Sequence, residues 1–172
     1  MTVYEATIMK QLRKILTFLT SQKQGSFSQL CWQRVGTYKS DRTGLKLIEF
    51  LRDKIRFVIG EDDEGNIRVI WGARKQLDHV FGGAAFLIMD ENDYQSGNIT
   101  FLKEVFDHQI RWVYEQGVME LTYFTSEKHL NFAKQICGDS LTITNEIDSE
   151  VYGKLWQVKV DFTKYLERKD NL

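Results

Sequence analysis

The sequence predicts a mixed α/β (α+β) domain: a mostly antiparallel sheet with helices on both faces, preceded by a helical N-terminal segment. Three observations carry this. Apolar residues recur at helical spacing over the first third of the chain and change to strict alternation at Ile55. Two alternating runs then flank a Gly-containing turn, the mark of a β-hairpin. Beyond the hairpin, strand-like and helix-like runs alternate as strand, helix, strand, helix and a final pair of strands, an order that a layered mixed sheet accommodates.

The first element reads as a helix, with Thr2 and Glu5 as a capping-box pair and Ile8, Leu12, Ile15, Leu16 and Leu19 on one face. Gly25 ends it. Ser26 with Gln29 caps a short second helix through Cys31, Trp32 and Val35, and Leu45, Ile48 and Leu51 mark a third. Ile55, Phe57 and Ile59 then alternate with Arg56 and Val58, Asp62–Asn66 supplies the turn, and Ile67, Val69 and Trp71 return. A third strand spans Val80 to Met89; its apolar run Ala84–Met89 predicts burial on both faces, and Gly82 and Gly83 predict a bulge or a close backbone approach. A loop is expected from Asp90 to Thr100.

Leu102, Val105, Phe106, Ile110 and Val113 make the clearest helical stripe, stopped by Gly117. Leu121–Phe124 is a short strand, and Ser126 caps a helix through Leu130, Phe132, Ala133 and Ile136 that closes at Gly138. Leu141–Thr144 and Leu155–Val160 form the terminal strand pair, with Asp148–Gly153 as the turn. The unit from Ala84 to Phe124 predicts a right-handed parallel crossover.

At 172 residues, with no proline, no low-complexity tract and no repeat, the chain reads as one domain: residues 1–54 mainly helical and 55–162 the sheet core. The charged, amphipathic N-terminus does not read as a secretory signal, and no stretch approaches the roughly 20 apolar residues of a membrane span. Cys31 and Cys137 give neither a disulfide framework nor zinc-ligand spacing, so a cytoplasmic location is expected. A net charge of −1 conceals an asymmetry: eleven basic and three acidic residues from Lys10 to Arg56, against twelve basic and twenty acidic from Phe57 onward. Such a split suits an anion-binding half and a cation-attracting half, or charged helix surfaces of no special role.

From Ile55 to Phe162 the order of elements resembles the GNAT superfamily of N-acetyltransferases, most suggestively in the ending: short strand, helix closing in Ile136-Cys137-Gly138, then strands ending in Leu155-Trp156-Gln157-Val158. The resemblance implies a GNAT-like sheet with acetyl-CoA held in a V-shaped opening between two parallel strands, Phe86–Met89 and Leu121–Phe124. It also implies a first strand ahead of the N-terminal helices, which the sequence does not reveal. The backbone of Leu87, Ile88 and Met89 would pair with pantetheine, and the following loop and helix N-terminus would hold the pyrophosphate. The family's loop signature is Gln or Arg, two residues, Gly, one residue, then Gly or Ala. Here Gln95-Ser96-Gly97-Asn98-Ile99-Thr100 brings the glycine one position early and puts Thr100 where the second small residue belongs, leaving Ser96, Gly97 and Asn98 to supply N–H groups.

The tyrosine that protonates the departing thiolate in the family falls near Lys134, and that helix contains no tyrosine. The resemblance leaves Tyr123 and Tyr94 as substitutes, whose bland reading is a packed or half-exposed aromatic, and Asp90 as the carboxylate placed to take a proton from an incoming ammonium. Glu61 and Glu64 near the hairpin turn read as solvated. His79, His108 and His129 show no metal spacing, and His108 and His129 read as helix-surface residues.

Three functions stay open on these readings. One is an acyl-CoA-dependent N-acyltransferase acting on a small-molecule or protein amine by direct transfer. Another is a catalytically inactive GNAT-fold binding or structural protein, of the sort found among phage-encoded and virion components. The third is nucleic-acid binding through the basic Lys10–Arg56 helices, with Trp32 and Tyr38 for stacking.

Overall fold

A computed structural model describes residues 1–6, 8–21, 55–75, 80–150 and 153–171. The second and third helices expected between Ser26 and Leu51 lie outside these residues, as do Gly25, Trp32, Tyr38 and His79. The chain divides into two compact units, Met1–Gln109 and Ile110–Leu172.

The first unit is a four-stranded antiparallel sheet in the order β1-β2-β3-β4, with β1 Thr2–Glu5, β2 Ile55–Glu61, β3 Ile67–Lys75 and β4 Val80–Met89. Thr2 to Glu5 is therefore a strand, paired Thr2 with Glu61 through Glu5 with Val58, where the capping-box reading expected a helix. Four residues are too few to display either period, and pairing with β2 decides their conformation. This is the first strand that the resemblance required. Helix α1, Ile8–Ser21, follows it.

Alternation sorts the sheet's side chains onto two faces. Phe57, Ile59, Ile70 and Ile88 face α1 and pack with Ile15 and Phe18. On the other face, β3 carries Val69 and Trp71, and these meet α3, Thr100–Glu115, through Val105, Phe101 and Phe106; the Trp71 and Phe106 rings are 5.3 Å apart. Gly60 permits this approach: a Cβ there would lie 2.9 Å from Val69 Cγ1 and 3.1 Å from Val105 Cγ2. The expected bulge is present, for Gly72 pairs with Phe86 while Arg74 pairs with Phe81, leaving residues 82–85 out of register.

The segment expected as a loop from Asp90 contains a short helix, α2 (Glu91–Ser96). Asp90 is its N-cap, Glu91 and Asp93 lie in its first turn, and Gly97 closes it in the left-handed region at φ 75°.

The second unit has a three-stranded antiparallel sheet in the order β5-β7-β6: β5 Glu120–Thr125, β7 Gly153–Asp161 and β6 Leu141–Ser149. The last two strands are longer than their apolar runs indicated. Between β5 and β6 runs α4, Glu127–Cys137, which buries Leu130, Phe132, Ala133, Ile136 and Cys137 as its periodicity predicts. A helix that the sequence reading missed, α5 (Phe162–Asp170), ends the unit; Asp161 caps it by accepting from the Lys164 N–H, and Phe162, Tyr165 and Leu166 are buried. All strand pairs among the described residues are antiparallel, and β4 and β5, expected as the two parallel strands, stand in separate sheets.

Candidate functional site

In the first unit the residues singled out around Gly97 gather into one tightly bonded turn. Asp93, 4% exposed, anchors it. Its carboxylate accepts from Arg68 Nε at 2.9 Å and Nη2 at 2.7 Å, and from Asn98 Nδ2 at 2.9 Å. The Asp93 carbonyl accepts the N–H groups of both Gly97 and Asn98. Asn98 in turn accepts the Thr100 N–H on Oδ1, capping α3.

These bonds alter the expected cradle. The N–H groups of Gly97 and Asn98 are spent on Asp93, and Gln95 and Ser96 sit in the last turn of α2, with Ser96 Oγ donating to the Asn92 carbonyl at 2.7 Å. They do not converge on an open point. The donors left at this place are the Phe101 and Leu102 N–H groups in the first turn of α3, since the Thr100 N–H goes to Asn98 and the Lys103 N–H to the Ile99 carbonyl. Thr100 and Lys103 are exposed beside them, and a Cβ on Gly97 would meet nothing within 4 Å. A helix N-terminus with an exposed hydroxyl and ammonium suits a phosphate.

Asp90 Oδ1 accepts from the N–H groups of Asn92 at 3.0 Å and Asp93 at 3.3 Å and lies 3.3 Å from Arg68 Nη2. That is the work of a helix cap, and the pattern Asp90, Asp93, Gly97 is the sequence signal that would have found α2. Tyr94 is half-buried on the same helix. Leu87 is half-buried and Ile88 and Met89 buried; their strand is last in the order of its sheet, so one edge of its backbone pairs with no strand of that sheet.

In the second unit, Tyr123 on β5 pairs with Val158. Burial, and then the neighbouring Cys137, push its phenol above the ordinary value, so it stays protonated at neutral pH. Burial drives the Cys137 thiol up to about 12, with Arg168 pulling the other way. Cys137 is thereby an inert core thiol. Lys134, at the position of the missing tyrosine, is exposed.

Neither described histidine is a plain surface residue. His108 is half-buried, and its imidazole is lowered by burial and then by Arg56, whose Nη2 lies 3.5 Å away. Arg56 also donates to Glu5 at 3.1 Å and Gln109 at 3.0 Å, so the last cation of the basic segment is engaged within the fold. His129, in the first turn of α4, is lowered to about 4 by burial and then by Lys128, and its Nδ1 lies 2.9 Å from Ser126 Oγ. A folded-state value below the unfolded one, about 6.5, contributes stability that is complete above pH 6.5 and is lost as the pH falls toward 4. Urea titrations should therefore show a loss of up to roughly 3 kcal/mol between these pH values, and His129→Gln should flatten that part of the curve. An unchanged slope in the variant would refute the assignment.

Among the described residues no group of three or more His, Cys, Asp or Glu could hold a metal ion, and no helix is long and apolar enough to cross a membrane. No protein-family model and no curated protein sequence matches the chain. Solved structures do. The chain has the fold of N-acetyltransferases of the GNAT superfamily, as the resemblance implied. A mutant of the spermidine N-acetyltransferase SpeG from Vibrio cholerae superposes with a TM-score of 0.65 at 11% identity, over 98% of this chain and 97% of that one. The spermidine/spermine N-acetyltransferase SpeG from the same organism, in complex with manganese ions, gives 0.64 at 10% identity over 97% and 95%. A dodecameric structure of the Vibrio cholerae enzyme in an intermediate state gives 0.65 at 11% over 97% and 96%. A phage origin gains no support from these likenesses.

Proposed function

We propose that this protein is an acyl-CoA-dependent N-acetyltransferase whose acceptor is a primary amine of the polyamine class. The observation that carries the reading is a fold shared with spermidine N-acetyltransferases over nearly the whole of both chains. The acidic balance from Phe57 onward, twenty acidic against twelve basic residues, suits a cationic acceptor.

The residues present fit the cofactor's anionic part at the α3 N-terminus. There the first-turn N–H groups, the Thr100 hydroxyl and the Lys103 ammonium would hold its phosphates, with Gly97 leaving the approach open and Asn98 fixing the turn. The β4 backbone at Leu87, Ile88 and Met89 would bind the extended pantetheine as an added strand would be bound. When bound, acetyl-CoA would supply the activated acyl group as a thioester. Asp90 remains a cap, and the acceptor loses its proton to solvent.

Calorimetry with acetyl-CoA tests this. Micromolar affinity is expected, weakened at least about tenfold by Lys103→Glu, which turns attraction for phosphate into repulsion. Gly97→Asp should act similarly by placing an anion and a strained backbone in the approach. Release of free thiol with spermidine as acceptor would then establish the reaction. No binding at millimolar cofactor would sink the enzyme and leave a GNAT-fold binding module, the reading that the spent N–H groups of Gly97 and Asn98 favour.

A further inference from the structure

Ser126 stands directly between strand β5 and helix α4, the N-cap position, yet its side chain makes no capping bond. A serine there ordinarily accepts a first-turn N–H and stabilises the helix by about 1 kcal/mol. Here the hydroxyl instead meets the imidazole one turn ahead, with Ser126 Oγ 2.9 Å from His129 Nδ1. The ring is fixed by an edge-to-face contact with Phe132, centroids 6.0 Å apart at 71°. In the tautomer that carries its proton on Nε2, the neutral ring accepts the Ser126 hydroxyl proton on Nδ1.

The backbone completes the arrangement. The N–H of Glu127, first residue of α4, has no acceptor four residues back, and the helix dipole adds partial positive charge at the same point. A nucleophile at a strand-to-helix junction, a base in hydrogen-bond contact with it, and an N–H on the next residue are the parts that acyl transfer to a serine requires.

The geometry points to a further activity: Ser126 and His129 form a nucleophilic dyad that takes an acyl group from activated esters or thioesters and passes it to water. Ser126 Oγ bonds to the acyl carbon while its proton moves to His129 Nδ1. The carbonyl oxygen carries the negative charge, facing the Glu127 N–H. The carbon–oxygen or carbon–sulfur bond to the leaving group then breaks, and the leaving group departs with the proton from His129. Water attacks the acyl-serine, gives a proton through His129 back to Ser126 Oγ, and releases the carboxylic acid. No oxidant, metal or cofactor enters. The dyad lies wholly within the second unit and does not depend on the proposed acetyltransferase reaction.

The test is peptide mass spectrometry of the full chain after brief exposure to p-nitrophenyl acetate and, separately, to acetyl-CoA. One acetyl group on Ser126 is expected with p-nitrophenyl acetate. It should be lost in Ser126→Ala, retained as a thioester in Ser126→Cys, and slowed about 100-fold in His129→Gln, each variant's fold being checked by circular dichroism. Labelling confined to lysines, or an equal rate in a folded His129→Gln protein, overturns the proposal. Should His129→Gln not fold, an unlabelled thiol in Ser126→Cys overturns it in the same way. A label from the ester but not from acetyl-CoA upholds the dyad and counts only against the cofactor reading above.

Discussion

Arg68→Ala should cost the protein about 3 kcal/mol, seen as a lower urea midpoint with an unchanged slope. Removing one partner of a buried ion pair leaves the other charge uncompensated, at about 3–5 kcal/mol, and the lower end applies because the Arg68 side chain is a quarter exposed. The stranded group is Asp93, whose side chain is 5% exposed and would keep only the Asn98 amide as a side-chain partner. Arg68 also faces Asp90 at 3.3 Å and Asp62 at 3.9 Å, and its guanidinium lies 5.8 Å from the centre of the Phe101 ring, so three carboxylates lose their common counter-ion. Replacing the pair together, Arg68→Met with Asp93→Leu, should be milder than the sum of the single changes, because no buried charge remains. A loss below 1 kcal/mol in Arg68→Ala would show that the pair is solvated. The substitution should also weaken acetyl-CoA binding, since the Asp93 carbonyl holds the turn that opens the α3 N-terminus.

Tyr165→Ala should destabilise by about 3–5 kcal/mol, the range for emptying a large aromatic site in a core. Tyr165 is fully buried, and the Arg168 and Lys169 cations lie 5.8 and 6.0 Å from its ring centre. Glu167→Ala on the exposed side of the same helix should stay within about 0.5 kcal/mol of the parent. Thermal unfolding of the three proteins decides it. Equal midpoints would mean that α5 contributes little to the second unit's core.

α5 also shows why some elements escaped the sequence reading. Its nine residues carry Phe162, Tyr165 and Leu166 at helical spacing behind Asp161, a readable cap and stripe. The strand pattern of β7 runs straight into it, and the resemblance stops at Phe162. β1 escaped for the opposite reason: Thr2–Glu5 contains no pattern long enough to outvote a capping-box match. The long amphipathic runs behaved otherwise. Ile15 of α1, the stripe of α3 and the core face of α4 are buried where their periodicity puts them, while α1 also buries Phe18, which was not in the expected stripe.

At the candidate site, the sequence indicated the neighbourhood but not the donors. Gly97 was legible as a turn residue, and it takes φ 75°. That its N–H and that of Asn98 point at the Asp93 carbonyl follows from α2, whose Asp93 is held by Arg68, 25 residues earlier. The Ser126–His129 pair is local, three residues apart, yet serine at an N-cap ordinarily bonds backbone, so spacing alone does not announce the imidazole.

By itself the sequence determined the helices and strands with long periodic patterns, the hairpin turn, the bulge in β4 and the GNAT-like order of elements. Each of these is a local property, written in which side chains must leave water. The tertiary structure alone decided that Thr2–Glu5 is a strand, that Arg68 joins Asp90 and Asp93, and that His129 is held neutral by burial. Those outcomes depend on charge, burial and backbone partners brought from elsewhere in the fold, and no window of sequence contains them.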